Sequence, residues 1–167
     1  GMRRSGSCAA SDVYHRQPLK SVPTFCMSTS SLVSIRCTDA IPVMNQDACL
    51  ASRYQYVEGS IEQVDRYCEL LVRELGQERY YASACGLPTP AAIREEVDGL
   101  RHLEPDFRVW GDYSGAGLVI RSDEPLDFYP DCRTVNVVPV ASLQDAVRFA
   151  NVGTQTVGIY PFERKAE

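Results

Sequence analysis

The chain has 167 residues, one domain's worth, and a domain of that size buries roughly two-thirds of its unfolded surface. Its 44% hydrophobic and 23% charged residues are those of a soluble globular protein, and no apolar run approaches the roughly 20 residues of a membrane span. A net charge of -5, with no Lys/Arg cluster beyond Arg3-Arg4, excludes a surface built to bind nucleic acid, and seven cysteines that never fall in C-x-x-C spacing exclude a zinc site or disulfide framework.

Residues 1–30 are Ser-rich and lack periodicity, so they are expected to form a leader or arm lying on the domain or on a neighbouring chain. The leading Gly-Met has the look of a tag remnant, no secretory apolar core follows it, and a reducing cytoplasm is the expected compartment. From Ser31 the pattern is globular, so residues 31–167 are expected to make a single α/β domain. "RYQYVEG", Arg53 to Gly59, alternates as a strand. Ser60 then caps a helix, with Gln63 completing a capping box, Ile61, Val64, Tyr67, Cys68, Leu71, Val72 and Leu75 forming one apolar face, and Gly76 as the stop. A second helix is predicted for "TPAAIREEVDGL", with Thr89 as cap and Pro90 in the first helical position. "FRVW" and "GLVIR" read as short strands joined through "GDYSGAG", and "SDEPLDFYPD" reads as a loop. "RTVNVVPV" is the most continuous strand, Ser142 caps the helix "LQDAVRFA", and "TVGIYP" closes the pattern. Strand, helix and strand at this spacing require a crossover, so the expected class is α/β, a parallel or mixed sheet flanked by helices.

"MNQDACLASRYQYVEG" places Cys49 after a polar run and before a strand. Asn45 and Gln46 supply amides there, Asp47 a carboxylate, and Ala48, Ala51 and Ser52 the small side chains that let a ligand reach the backbone. A nucleophilic cysteine needs its thiolate stabilised and its oxyanion held by N–H groups, whereas on residue pattern alone a free cysteine is ordinarily a small buried hydrophobe. Cys68, on an apolar helix face, reads as core. His15 and His102 lie in no motif, and His102 reads as a helix-end residue. "GDYSGAG" lacks the lysine and strong helix of a phosphate loop, and Glu95 and Glu96 belong to a solvated helix face.

"NQDACLASRYQYVEGSIEQVDRYCELLVREL" resembles the segment around the catalytic cysteine of the aldehyde dehydrogenase superfamily, and within it the acyl-CoA reductases, such as the fatty-acid reductase subunit of bacterial luminescence systems. "RTVNVVPVASLQDAVRFANVGTQTVGIYP" is similar to the strand, helix and strand in the second half of that catalytic domain, and together the likeness spans Ser31 to Pro161. The resemblance implies Cys49 as the nucleophile that takes an acyl group from acyl-CoA or an acyl-carrier thioester. It implies the Cys49 N–H as an oxyanion donor, with Asn45, Gln46 and Ala48 as oxyanion or site-shaping residues, NADPH as hydride source and no metal. The departures are specific. Gln46 lies three residues before Cys49 where common aldehyde dehydrogenases place Gln two before, the Glu-x-Phe-Gly-Pro motif is absent, and no Gly-rich nucleotide fingerprint precedes Cys49. The expectation is a catalytic domain without its nucleotide-binding domain, which does not bind NADPH by itself and keeps at most the acyl-transfer half-reaction. A face left open by the missing domain is expected to be covered in a homodimer or by the leader. Two other readings stand beside it: a non-catalytic remnant or interaction protein that keeps the fold, and a thiol hydrolase, which needs His15 or His102 within hydrogen-bond reach of Cys49.

Overall fold

The computed structural model describes residues 22–26, 41–46, 51–151, 153–154 and 156–166. Elements follow in the order β1 (Val22–Cys26), β2 (Ser52–Glu58), α1 (Ile61–Leu75), α2 (Ala91–Leu100), β3 (Arg108–Gly111), β4 (Leu118–Arg121), β5 (Thr134–Val140), α3 (Leu143–Val147) and β6 (Gly158–Tyr160), with 3-10 turns at Val43–Gln46 and Phe162–Ala166. The strands make one six-stranded sheet in the order β3-β4-β5-β2-β1-β6. All pairings are parallel except β3 with β4, so the sheet is mixed and flanked by helices, as expected.

Helix α1 follows its sequence signals. Ser60 Oγ accepts from the Gln63 N–H, and Gln63 Oε1 accepts from the Ser60 N–H at 2.9 Å, a reciprocal cap that satisfies two otherwise orphaned donors. Its buried stripe of Val64, Tyr67, Cys68, Leu71 and Leu75 packs on Val57, Val119, Val135 and Val137, which point to one face of the sheet. The alternate residues point to the other. Tyr54, Tyr56, Val138 and Val140 pack on Leu143 and Ala146 of α3, and Leu118 and Ile120 pack on Ile93 and Val97 of α2. Both faces are covered, which explains why β2 and β5 are buried almost without alternation.

The structure corrects the sequence reading in three places. Val22–Cys26, inside the segment assigned to a leader, is a sheet strand between β2 and β6, because two parallel neighbours supply its hydrogen bonds; its proline and serine surroundings hide it from local pattern. Pro90, not Thr89, is the cap residue of α2; Thr89 is buried and its N–H is spent on the Tyr113 carbonyl. Helix α3 ends at Val147, short of Ala150, though Ser142 caps it as read. The connection between β3 and β4 is a turn in which Gly115 has φ +93, and a side chain there would meet the carbonyls of Gly86 and Leu87, so glycine is required. No helix among the described residues is long and apolar enough to cross a membrane.

Candidate functional site

Parallel pairing brings the N-terminal ends of several strands to one edge: Val22 lies opposite Ser52, and Thr134 opposite Leu118. At this corner the chain arrives from the 3-10 turn that ends at Gln46 and resumes at Ala51 and Ser52. Cys49, Ala48 and Asp47 lie outside the described residues. Asn45 and Gln46, the other two expected site residues, stand at this corner.

Gln46 is fully buried, and its Nε2 donates to the carbonyls of Ser52 and Thr134, both at 2.9 Å. One amide therefore ties the start of β2 to the start of β5. Both of its N–H donors are engaged, so this side chain shapes the corner and has no proton left for a developing oxyanion. Asn45 lies against the 84–86 segment: a Cβ built at Gly86 would stand 1.9 Å from Asn45 Oδ1 and 2.9 Å from Arg133 Nε, so only glycine lets these stretches of chain meet.

Arg53, 4% exposed, enters the corner from β2. Its Nη2 donates to the Gln46 carbonyl at 2.5 Å and lies 3.5 Å from Asp131 Oδ1, its Nη1 donates to the Ala51 carbonyl at 3.4 Å, and its guanidinium sits 4.5 Å from the centre of the Tyr129 ring. Arg133, 3% exposed, comes from the start of β5 and donates to the carbonyls of Ser83 and Ala84 at 2.9 and 3.1 Å. Burial pushes the Arg133 pKa down, and the nearby Cys85 sulfur counters that effect.

Two further features mark the corner. The described non-glycine residues with left-handed backbone are two adjacent pairs, Asn45 and Gln46 (φ 53 and 69) and Cys132 and Arg133 (φ 53 and 62), and each pair leads toward one of the two strands. Such conformations cost about 1–3 kcal/mol each and persist where the surroundings over-determine them, as at functional sites. The described buried side-chain polar atoms without a hydrogen-bond partner are Asn45 Oδ1, Gln46 Oε1, Arg53 Nε, Arg133 Nε and Thr134 Oγ1, all from this same corner. Unspent donors and acceptors in one buried place are the chemistry of a site that takes water or a polar group.

The remaining candidates fall elsewhere. Cys68 is buried on the inner face of α1, and burial pushes its thiol far up, which removes it as a nucleophile. His102 is exposed in the turn after α2, Glu95 and Glu96 are exposed on α2, and His15 lies outside the described residues. A cavity of about 360 Å³ opens beside α2, lined by Leu100, Phe107, Leu126 and Phe128 and by the carboxylates of Glu96, Asp106, Asp123, Glu124 and Asp127; none of the corner residues lines it. Its charge repels the phosphates of an acyl-CoA. Among the described residues no group of three or more His, Cys, Asp or Glu is placed to hold a metal ion. Sequence reading misses Arg53, Arg133 and Thr134, which stand at or beside the start of a strand. For the two arginines the only signal is a charged residue set against apolar strand residues, and Thr134 carries none.

No family model matches the chain. No curated protein matches it. Among solved structures, an NAD-dependent benzaldehyde dehydrogenase from Corynebacterium glutamicum superposes with a TM-score of 0.57 at 12% identity, over 87% of this chain and 36% of that one. A salicylaldehyde dehydrogenase from Pseudomonas putida G7 gives 0.55 at 14% identity, over 84% and 37%. The aldehyde dehydrogenase KauB from Pseudomonas aeruginosa gives 0.53 at 12%, over 84% and 38%. The chain spans little more than a third of the length of these enzymes. Likeness at such identities is likeness of fold, and the fold is that of an aldehyde dehydrogenase catalytic domain.

Those folds imply a nicotinamide dinucleotide, which is held where a strand runs through a glycine turn into a helix N-terminus facing the pyrophosphate. At the strand-to-helix junctions that open α1 and α3, that position is taken by a carboxylate. Ser60 Oγ donates to Glu62 at the start of α1, which holds the Glu62 carboxyl below its usual range, and Ser142 Oγ donates to Asp145 at the start of α3. A carboxylate at each N-terminus repels a pyrophosphate. The described residues do not fit this cofactor, and no hydride step is assigned to them.

Proposed function

We propose that this chain carries the acyl-transfer chemistry of an aldehyde-forming acyl-CoA reductase, with Cys49 as the nucleophile. The Cys49 thiolate attacks the carbonyl carbon of an acyl-CoA or acyl-carrier thioester. The carbonyl oxygen takes up the charge, the carbon–sulfur bond to the carrier breaks, and the electron pair leaves on the carrier thiolate, which is then protonated. The product is an acyl thioester on Cys49, and no electron changes hands in this step. The backbone N–H of Cys49 is the proposed oxyanion donor, and removal of one such donor costs roughly 3 kcal/mol of transition-state stabilisation. NADPH would be the hydride source for release of the aldehyde; the described residues do not fit it, and none of them is assigned that step.

The observation that carries this reading is the corner itself: in an aldehyde dehydrogenase fold, the backbone on both sides of residues 47–50 is held by two buried polar side chains, Gln46 and Arg53. Asn45, Gln46 and Ala48 are then site-shaping residues. The reading also takes the protein to be cytoplasmic and homodimeric.

The test is intact mass after incubation with a panel of acyl-CoAs, with Cys49→Ala as control. One acyl group is expected on the wild-type chain and none on the variant. An adduct that survives in Cys49→Ala, or the absence of any adduct across the panel, sinks the proposal and favours a non-catalytic relative that keeps the fold.

A further inference from the structure

The cavity beside α2, about 360 Å³, lies within the size range of small-molecule sites. Its floor is apolar. Leu126 is buried in a cluster with Ile93, Val97, Leu118 and Ile120, and Leu100, Phe107 and Phe128 pack on that cluster while keeping part of their surface open. Both walls are fixed by hydrogen bonds. Asn136, fully buried, accepts from the Leu126 N–H at 3.1 Å and donates to Ser122 Oγ at 2.8 Å and to the Ile120 carbonyl at 3.1 Å. Ser122 Oγ in turn donates to the Glu124 carbonyl at 2.6 Å. On the opposite wall Arg121 Nη2 donates to the Pro105 carbonyl at 3.0 Å, and the Phe107 N–H donates to the Leu103 carbonyl at 3.1 Å. A hollow held in this way needs little further ordering when a ligand enters.

Charge decides what fits there. No Lys, Arg or His lines the cavity, whereas Glu96 comes from α2, Asp106 from the turn before β3, and Asp123 and Asp127 from the loop after β4. None of these four carboxylates has an ion-pair partner among the described residues. A fifth, Glu124, meets Arg148 at 3.5 Å in a pair open to solvent, and such pairs are weak. Carboxylates around an apolar floor focus a negative potential on it. An anion is repelled, a bare metal ion finds no group of three or more ligands among the described residues, and a hydrophilic cation gains nothing from the floor. We propose that the cavity binds an amphipathic organic cation, with an ammonium group at the carboxylates and an alkyl or aryl body on Leu100, Phe107, Leu126 and Phe128. The site uses none of the residues of the Gln46 and Arg53 corner, and it stands independently of the reading of Cys49.

The experiment titrates the full chain with octylammonium, hexylammonium, octanoate and diaminobutane at neutral pH and low salt, with dissociation constants read by ligand-observed NMR. Octylammonium is expected to bind tightest. Octanoate, which has the same body and the opposite charge, is expected to bind at least about ten-fold more weakly. Diaminobutane, which has the charge without the body, is expected to show a deficit of about the same size. Hexylammonium is expected to lose up to about fifteen-fold, since a fully buried methylene is worth roughly four-fold. Added salt is expected to weaken octylammonium binding. Glu96→Gln with Asp127→Asn, both on exposed residues, is expected to weaken it about five-fold, and thermal unfolding checks that the variant is folded. A control with Glu69→Gln and Glu163→Gln loses the same charge from exposed positions outside the cavity and is expected to change binding less than about two-fold. Octanoate or diaminobutane bound as tightly as octylammonium, or equal losses in the two double variants, overturns the inference and leaves only a general attraction to the net charge of -5.

Discussion

Gln46 is visible in the sequence as an amide beside Cys49, but the carbonyl that takes one of its protons belongs to Thr134, 88 residues later. No local pattern reports such a partner. Its role is nonetheless testable at this one residue. Gln46→Leu removes its donations to the Ser52 and Thr134 carbonyls, and each buried hydrogen bond lost costs about 0.5–1.5 kcal/mol, so a fall of about 1–3 kcal/mol is expected from urea unfolding at neutral pH. Gln46→Glu is expected to be worse at pH 7, because an ionised carboxylate would face two carbonyl oxygens. It should regain stability as pH falls, since the protonated acid has one donor to offer. A Glu variant as stable as wild type at pH 7 would mean that Gln46 does not tie the strands. Arg53 reads in the sequence only as the first letter of a strand, and its bonds to the Gln46 and Ala51 carbonyls come from the fold.

At the scale of elements, α1 is the most legible, because its cap, its apolar stripe and its stop are interactions between residues within a few positions of one another. Its Asp65 is not legible. It takes Arg121 Nε at 2.7 Å and Arg108 Nη1 at 2.6 Å, pinning the helix to β4 and β3. The two partners differ in worth. The Arg121 side chain is 5% exposed and that of Arg108 is 45% exposed. Loss of the shared carboxylate leaves Arg121 as a buried, uncompensated charge, for which about 3–5 kcal/mol is the ordinary cost, so Asp65→Ala is expected to lose that much by urea unfolding. Arg108→Ala removes a solvent-exposed pair and is expected to lose less than about 1 kcal/mol. Equal losses from the two variants would contradict this assignment.

Across the whole molecule, the sheet buries one hydrophobic layer under α1 and another under α2 and α3. Each layer holds groups that resist ionisation. Burial pushes Cys68 and Tyr67 up on the inner face of α1, and on the opposite face of the sheet it pushes Tyr54 up and Tyr56 up to about 12 from 10.0. The sign follows from proton counting. Above the ordinary thiol value of 9.0 the unfolded chain gives up protons that the folded chain still holds, so the unfolded state binds fewer protons and stability falls as pH rises. The urea midpoint is expected to be flat near neutral pH and to decline from about pH 9 upward, more steeply once the tyrosines join above about pH 10. A midpoint that stays level to about pH 11 would show that these groups ionise in place. Cys68→Ala removes one contributor and should shallow the first part of the decline.

The residue order alone determined the α/β class, helix α1 with its cap, the hairpin of β3 and β4, and the strands β2 and β5, since periodicity, capping and turn chemistry are sums over near neighbours. It also singled out Asn45 and Gln46 beside Cys49. Tertiary structure alone decided that Val22–Cys26 is a sheet strand, that two left-handed pairs converge on one edge, and that Gln46 and Arg53 clasp the same backbone. These depend on strand register, which places Ser52 and Thr134 side by side although they are far apart in the chain. A buried amide or guanidinium finds its carbonyl only after that register is set.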